Sequence, residues 1–194
     1  MNPQFEQVEK VIRNRRTTKA AAMNGNKISK ETMQQLLALA DFAPTHARTE
    51  PWRFVVYTGE SLKNFCKDHA NLYWENTAEE NRKQASYDNF EHMGDMASHL
   101  VIAIMRRTPE AKIPKLEEYA ATSAAIQNVL LGAEALDVAT FWSTGGMVLK
   151  PAMKQYLNLQ EEDEVLGFLY MGYTDQPKKE AVRNIPMEEK IRWA

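Results

Sequence analysis

Three short clusters hold the residue types that could do chemistry. The first, Arg13-Asn14-Arg15-Arg16-Thr17-Thr18-Lys19, puts three arginines and a lysine within seven residues, directly after an amphipathic run. Guanidinium forks match phosphate oxygens two at a time, and threonine hydroxyls add donors, so this segment can form an anion site. By composition alone a basic surface segment is the first reading and an anion site the second. The second cluster, Ala43-Pro44-Thr45-His46-Ala47-Arg48-Thr49-Glu50-Pro51-Trp52-Arg53-Phe54, brackets a polar loop with two prolines and leads into an aromatic run. A loop held at both ends commonly carries binding groups, although a plain connection accounts for it equally. The third, Phe141-Trp142-Ser143-Thr144-Gly145-Gly146, ends a short apolar run in hydroxyls and paired glycines. Such glycines permit positive φ and close backbone approach to a ligand, or simply make a turn.

Several chemistries are excluded by pattern. The eight glycines are scattered, with neither a G-x-x-x-x-G-K-[ST] loop nor a G-x-G-x-x-G turn. There is no G-x-S-x-G elbow and no H-E-x-x-H zinc helix. His92, Asp95 and His99 could share a helix face, but two histidines and one aspartate leave a metal shell incomplete. The basic cluster lacks the interleaved aromatics and the wider excess of cations expected of a nucleic-acid surface.

These clusters sit between elements that periodicity makes legible. Phe5, Val8, Val11 and Ile12 fall at helical spacing, and residues 13–28 read as a loop. Ser29 can cap a second helix using Met33, Leu36, Leu37 and Ala40, which Pro44 stops. Trp52–Tyr57 reads as a strand ended by Thr58-Gly59, and 60–75 as a helix with Leu62, Phe65 and Cys66 on one face. Residues 75–99 are polar and helical in character, a candidate lid. Leu100–Met105 is a continuous apolar run of strand length. Pro114 opens an Ala-rich helix to about Leu136, apolar nearly all round, which must be buried centrally or against a partner. Val138–Trp142 is a short strand, Pro151–Leu157 a short helix, and Val165–Met171 a strand closed by Gly172. The tail 175–194 has too few apolar residues for a core of its own, yet ends in Ile191 and Trp193, which suits docking on another subunit. The expectation is one α+β domain over 1–194, with a mixed central sheet of about four to five strands flanked by helices.

Composition agrees with that class. The chain has 194 residues, 24 Lys+Arg against 26 Asp+Glu, 44% hydrophobic residues and a single cysteine, Cys66. That balance excludes a bulk polycation, and one cysteine excludes an intrachain disulfide. No segment approaches the ~20 apolar residues of a bilayer span, and the charged N-terminus does not resemble a signal peptide. A reduced, cytoplasmic protein with no membrane and no nucleic-acid partner is expected.

Taken in order, the clusters resemble the nitroreductase family of flavin mononucleotide (FMN) enzymes. The family's R-[RHY]-[ST]-x-[KR] element is matched by Arg15-Arg16-Thr17-Thr18-Lys19, and its A-P-x-x-x-x-x-x-P-W-x-F element by Ala43-Pro44 with Pro51-Trp52-Arg53-Phe54. Gly167-Phe168-Leu169-Tyr170-Met171-Gly172-Tyr173 matches its late G-x-x-x-x-G-Y segment. The resemblance covers nearly the whole chain and is to the compact, single-domain subgroup.

The resemblance implies an intimate homodimer with FMN at the interface, and hydride passing from NAD(P)H via flavin N5 to an electron-poor small molecule (nitroaromatic, quinone or enone) in a ping-pong cycle. Arg15, Arg16 and Thr17 would hold the phosphate and the polar edge of the ring, with Lys19 a further candidate. His46 and Glu50 would contact the FMN of the partner subunit. Trp142, Ser143 and Thr144 would lie along the flavin, with N–H groups near Thr144 and Gly145 facing N5, and Arg183 matches a basic position in the tail. No side chain is expected to be catalytic in its own right. Two departures stand out: Glu50 replaces a neutral amide, and Ser143 replaces an arginine of the subgroup. Relatives that dehalogenate or degrade flavin, or a dimer that binds FMN without turnover, are the alternatives.

Overall fold

The computed structural model describes residues 2–194, and among them six helices alternate with four strands. In chain order these are α1 (Pro3–Asn14), α2 (Lys30–Ala38), β1 (Trp52–Thr58), α3 (Gly59–Glu75), α4 (Gln84–His92), β2 (His99–Met105), α5 (Lys115–Ala135), β3 (Ala139–Ser143), α6 (Pro151–Tyr156) and β4 (Glu164–Gly172). The strands form one sheet in the order β1-β2-β4-β3, and every ladder is antiparallel. A parallel component enters only as the isolated bridge of Thr17 with Thr140, on the outer side of β3. The α+β class is as expected, with that bridge in place of a fifth strand.

The apolar run of β2 is explained by its position. Every residue of β2 is buried, because helices cover both faces of the sheet. Alternate side chains serve two cores. Val101, Ala103, Leu169 and Met171 pack with α2 and α5, whereas Leu100, Ile102, Phe168 and Tyr170 pack with α3 and α6. Ser29 caps α2 as expected, its Oγ accepting from the Thr32 N–H at 3.1 Å.

The Ala-rich α5 lies against the sheet, so its apolar surface is absorbed largely within the chain. Ala121, Ala125, Ile126, Val129 and Ala133 are buried there, and so is one charged residue, Glu118, at 0% exposure. The Glu118 carboxylate accepts from Arg107 Nη1 at 2.5 Å and from the Thr108 N–H at 3.1 Å, and Arg107 Nη2 donates to the Ile113 carbonyl at 3.0 Å.

Opposite β2, the register of β4 slips by one residue: Ala103 pairs with Gly167 but Ile104 pairs with Val165, leaving Leu166 as a bulge. The Trp142 indole fills the space, its Nε1–H donating to the Leu166 carbonyl at 3.0 Å. Gly167 is obligatory beneath it, since a Cβ would come within 2.0 Å of that nitrogen.

The stretch 75–99 is not one helix. α4 is docked on α3: Tyr87 Oη donates to Asn71 Oδ1 at 2.9 Å, the Lys83 N–H donates to Tyr73 Oη at 3.1 Å, and Phe90 packs 5.2 Å from the Tyr73 ring. His99 already belongs to β2 and is buried beside Ser98, while His92 ends α4 and Asp95 follows in a turn. The three therefore do not share a helix face, because the chain reverses between them.

Two segments remain outside the cores. α1 buries no residue, and Phe5, Val8 and Ile12 of its apolar stripe are 57%, 57% and 53% exposed. Residues 175–194 are exposed throughout, with Trp193 at 90%. Among the described residues no helix is long and apolar enough to cross a membrane.

Candidate functional site

The arginine-bearing segment leaves α1 at Arg15 and is laid along the outer edge of β3. Thr17 bridges Thr140, and the Thr18 N–H donates to the Thr140 carbonyl at 2.9 Å. Further on, the segment is stapled to the chain leaving β4. The Asn24 N–H donates to the Tyr173 carbonyl at 2.8 Å and Thr174 Oγ1 to the Ala22 carbonyl at 2.6 Å. A cavity of about 530 Å³ opens beside it, lined by Arg16, Thr17, Thr18 and Lys19 together with Glu134, Asp137 and the tail from Thr174 to Lys179.

The cations of this segment have different occupations. Arg16 is anchored to backbone on one side: its Nε donates to the Lys179 carbonyl at 2.8 Å, and its Nη1 to the Arg13 and Arg15 carbonyls at 2.6 and 2.9 Å, while Nη2 makes no hydrogen bond among the described residues and the side chain lines the cavity. Lys178 is paired with Glu134. Arg15, half-buried at the C-cap of α1, and Lys19, on the wall of the cavity, make no side-chain hydrogen bond or ion pair among the described residues. They are the cations of this segment left for an anion, and Lys179 on the same cavity wall adds a third whose side chain makes no hydrogen bond or ion pair among the described residues. Arg183 is exposed and bonds only the neighbouring Val182 carbonyl, at 2.8 Å, so it is not drawn to the cluster. The acids Glu134 and Asp137 and the Gln176–Lys179 wall were not singled out by sequence, although Lys178-Lys179 after Gln176-Pro177 was a legible signal.

At the far end of β3, Ser143 is buried, whereas Thr144 and Gly145 are exposed. They stand roughly 10–16 Å along the strand from Thr140. The outer side of Gly145 is open, with only Ser143 Oγ, at 3.9 Å, near a Cβ built there. Gly146 is different: its φ is +66°, and it faces inward rather than toward a ligand. Trp142 is half-buried and its indole N–H is already bonded to β4, so only its ring can meet a ligand.

His46 and Glu50 occupy the Pro-bracketed loop before β1. This backbone is costly: Ala47, Arg48 and Glu50 all have positive φ, at 51°, 54° and 43°, a conformation that costs L-residues about 1–2 kcal/mol each. His46 Nδ1 meets Glu117 Oε2 of α5 at 2.5 Å, and the Glu50 N–H donates to Thr45 Oγ1 at 3.2 Å. The Glu50 carboxylate has no partner among the described residues.

The sheet order decides which of these residues can act together. β1 and β3 are opposite edges, three strand spacings or ~14 Å apart. Thr140 pairs with Met171 near one end of the sheet, whereas Trp52, next to the 43–51 loop, pairs with Met105 at the other. His46 and Glu50 therefore lie at the corner diagonal to Arg15–Lys19. Within one chain the two groups are thus held apart, on opposite edges and at opposite ends of the sheet.

The one cysteine is not a thiolate nucleophile. Cys66 is buried, and burial pushes its thiol up to about 11, so it stays protonated and unreactive. Among the described residues no group of three His, Cys, Asp or Glu side chains could hold a metal ion.

Comparison with known proteins adds the following. The family model of the Nitroreductase family matches residues 12–173. The crystal structure of a nitroreductase-like family protein from Bacillus cereus superposes with a TM-score of 0.77 at 25% identity, over 96% of this chain and 95% of that one. The FMN-dependent nitroreductase NfnB of Mycobacterium smegmatis, solved in complex with NADPH, has a TM-score of 0.72 at 15% identity, over 98% of this chain and 99% of that one. The NADPH:FMN oxidoreductase of Vibrio harveyi, complexed with NAD+, gives a TM-score of 0.71 at 17% identity, over 96% and 76%.

Proposed function

The chain belongs to the nitroreductase family, and on that premise we propose that it is a homodimeric, cytoplasmic FMN-dependent oxidoreductase using NAD(P)H. The observation that carries this reading is the pairing of two uncommitted cations, Arg15 and Lys19, with the open Thr144–Gly145 turn along one exposed strand edge. A phosphate needs the first and a planar ring needs the second. Thr17 and Thr18, fixed to Thr140, present hydroxyls between them. The residues thus fit FMN, with Arg16 holding the tail through Nε and keeping Nη2 available to the phosphate.

FMN, when bound, would supply the redox chemistry for hydride transfer from NAD(P)H to a nitroaromatic, quinone or enone acceptor in a ping-pong cycle. The protein binds, orients and tunes. Arg15 and Lys19 would neutralise the phosphate, and the backbone N–H groups near the exposed Thr144 and Gly145 would be available to N5. The Trp142 ring, immobilised by its bond to Leu166, forms a wall. Residues 75–99 do not line the cavity beside Arg16 and Lys19; through α4, which reaches His69 behind the 144–147 turn by way of Phe90, they are the candidate for selecting the acceptor.

What one copy leaves uncovered supports the dimer. A 12-residue helix such as α1 is marginal alone, yet its apolar stripe faces solvent. The same chain carries an exposed apolar arm with Val182, Ile185, Met187, Ile191 and Trp193. A second copy supplies an arm for each stripe, and it also brings His46 and Glu50 to the site from the diagonal corner.

Purified protein is expected to show flavin absorbance bands that NAD(P)H bleaches under anaerobic conditions, and a solution mass of two chains. Colourless protein that gains no stability from added FMN would falsify the reading. A second reading, FMN binding without turnover, is favoured by the unpartnered Glu50 carboxylate, which disfavours negative charge on a nearby reduced ring. It predicts flavin bands that NAD(P)H leaves unchanged.

A further inference from the structure

The turn that follows β3 is held from the inside by a buried histidine. His69 of α3 is 2% exposed, and its ring is boxed by Phe90, Phe168 and Phe65 at centroid distances of 4.8, 5.3 and 6.4 Å. His69 Nε2 accepts a hydrogen bond from the Met147 N–H at 3.0 Å. A ring nitrogen that accepts carries no proton, so the neutral imidazole has its hydrogen on Nδ1. That Nδ1 is buried without a partner. Gly146 completes the contact, since a Cβ there would come within 2.7 Å of His69 Nε2 and 2.9 Å of Phe90 Cζ.

We infer that His69 is a positioning residue: as the neutral Nδ1–H tautomer it clamps the 144–147 turn through the Met147 N–H, fixing the shape in which the turn meets the flavin. The clamp stands on the structure alone, whereas its effect on the flavin rests on the function proposed above. Four elements converge on it, namely α3, α4, β4 and the turn, so α4 is tied to the flavin-facing turn through Phe90. An aromatic ring would fill the same volume but offer no acceptor to Met147. The unpaired Nδ1–H is a standing cost that only the Met147 bond explains.

The clamp has a defined pH range. Burial lowers His69 to about 4, and no charged group contributes to the shift. The titratable neighbours on α3 face elsewhere: Asp68 accepts from Tyr156 Oη at 2.6 Å, and Tyr73 Oη accepts from the Lys83 N–H at 3.1 Å. On α4, Asp88 accepts from Gln84 at 2.7 Å and His92 pairs with Asp95 at 3.0 Å. On β4, Tyr170 Oη lies beside the protonated Cys66 thiol. Protonating Nε2 would set one N–H against another, so the turn is locked at neutral pH and released only as the pH approaches 4.

The first test is made on flavin-free, uniformly ¹⁵N-labelled protein. His69 is expected to show a protonated Nδ1 and an unprotonated Nε2 from pH 8 to 5, with slow exchange of the Met147 amide. The opposite tautomer, or titration near an ordinary histidine pKa of about 6.5, overturns the inference. The second test is on FMN-loaded protein. His69→Phe is expected to slow flavin reduction by NAD(P)H about 10²-fold by misplacing the turn, with FMN affinity nearly unchanged. His69→Gln, which restores an acceptor, is expected to recover most of that rate. Equal rates in His69→Phe and the unsubstituted protein overturn the inference. Protein with the expected tautomer that takes up no FMN upholds the clamp and overturns the flavin reading instead.

Discussion

Replacing Arg15 with alanine is expected to weaken FMN binding by about 2–5 kcal/mol, the range for truncating one partner of a buried hydrogen-bonded charge pair. The adjacent Arg16→Ala is expected to cost much less in affinity. The two arginines are neighbours in sequence but not in role. The Arg16 guanidinium is held through Nε and Nη1 by the carbonyls of Arg13, Arg15 and Lys179, leaving Nη2 for a ligand, whereas the whole Arg15 guanidinium is without a partner among the described residues. Removing Arg16 loosens the tail, and removing Arg15 takes away a cation. Fluorescence titration of the apo-proteins with FMN measures both, and equal losses for the two variants would refute the assignment.

The second large effect concerns stability. Glu118→Gln is expected to destabilise the fold by about 3–5 kcal/mol, because it strands a guanidinium that makes no other ion pair among the described residues, the nearby Asp163 carboxylate accepting from the Arg107 backbone N–H instead. Glu118 is fully buried and the Arg107 side chain is 13% exposed, with both carboxylate oxygens satisfied by the 107–108 segment. Such a loss is a large part of the ~5–15 kcal/mol available to a domain. Denaturant unfolding would reveal it as a lower midpoint at unchanged slope. Replacing both residues by methionine should recover most of the loss, since a well-packed apolar pair stands in for a buried ion pair. A double variant as unstable as the single one would mean that the carboxylate acts through the Thr108 N–H rather than through Arg107.

Much of this molecule could be read before its fold was seen, and the reason differs by element. β2 declared itself as Leu100–Met105 because a strand covered on both faces needs no polar alternation. The start of α2 was visible at Ser29 because capping is local chemistry. The split of 75–99 into a turn and α4 was not visible, since it depends on Tyr73, Asn71 and His69 of α3 receiving α4. The bulge at Leu166 depends likewise on a tryptophan more than twenty residues away. Of the candidate site, the Arg15–Lys19 segment and the Thr144–Gly145 turn lie on one strand edge as two distinct stations. Sequence alone could not separate Arg16 from Arg15, because their difference lies in which carbonyls the tail brings near. His69 had a signal: it continues the helical face of Leu62, Phe65 and Cys66 by one turn, a polar residue where an apolar one is due.

The diagonal placement of the two corner groups carries a genetic consequence. If each pocket takes its arginine from one chain and its histidine from the other, a protein lacking Arg15 and a protein lacking His46 are each defective at every pocket. Mixed and allowed to exchange subunits, they form hybrids in which one pocket inherits both intact residues and the other inherits neither. Complementation should then restore about a quarter of all pockets at equal mixing. Two inactive alleles would make a working enzyme, and strand order within the sheet would be the cause.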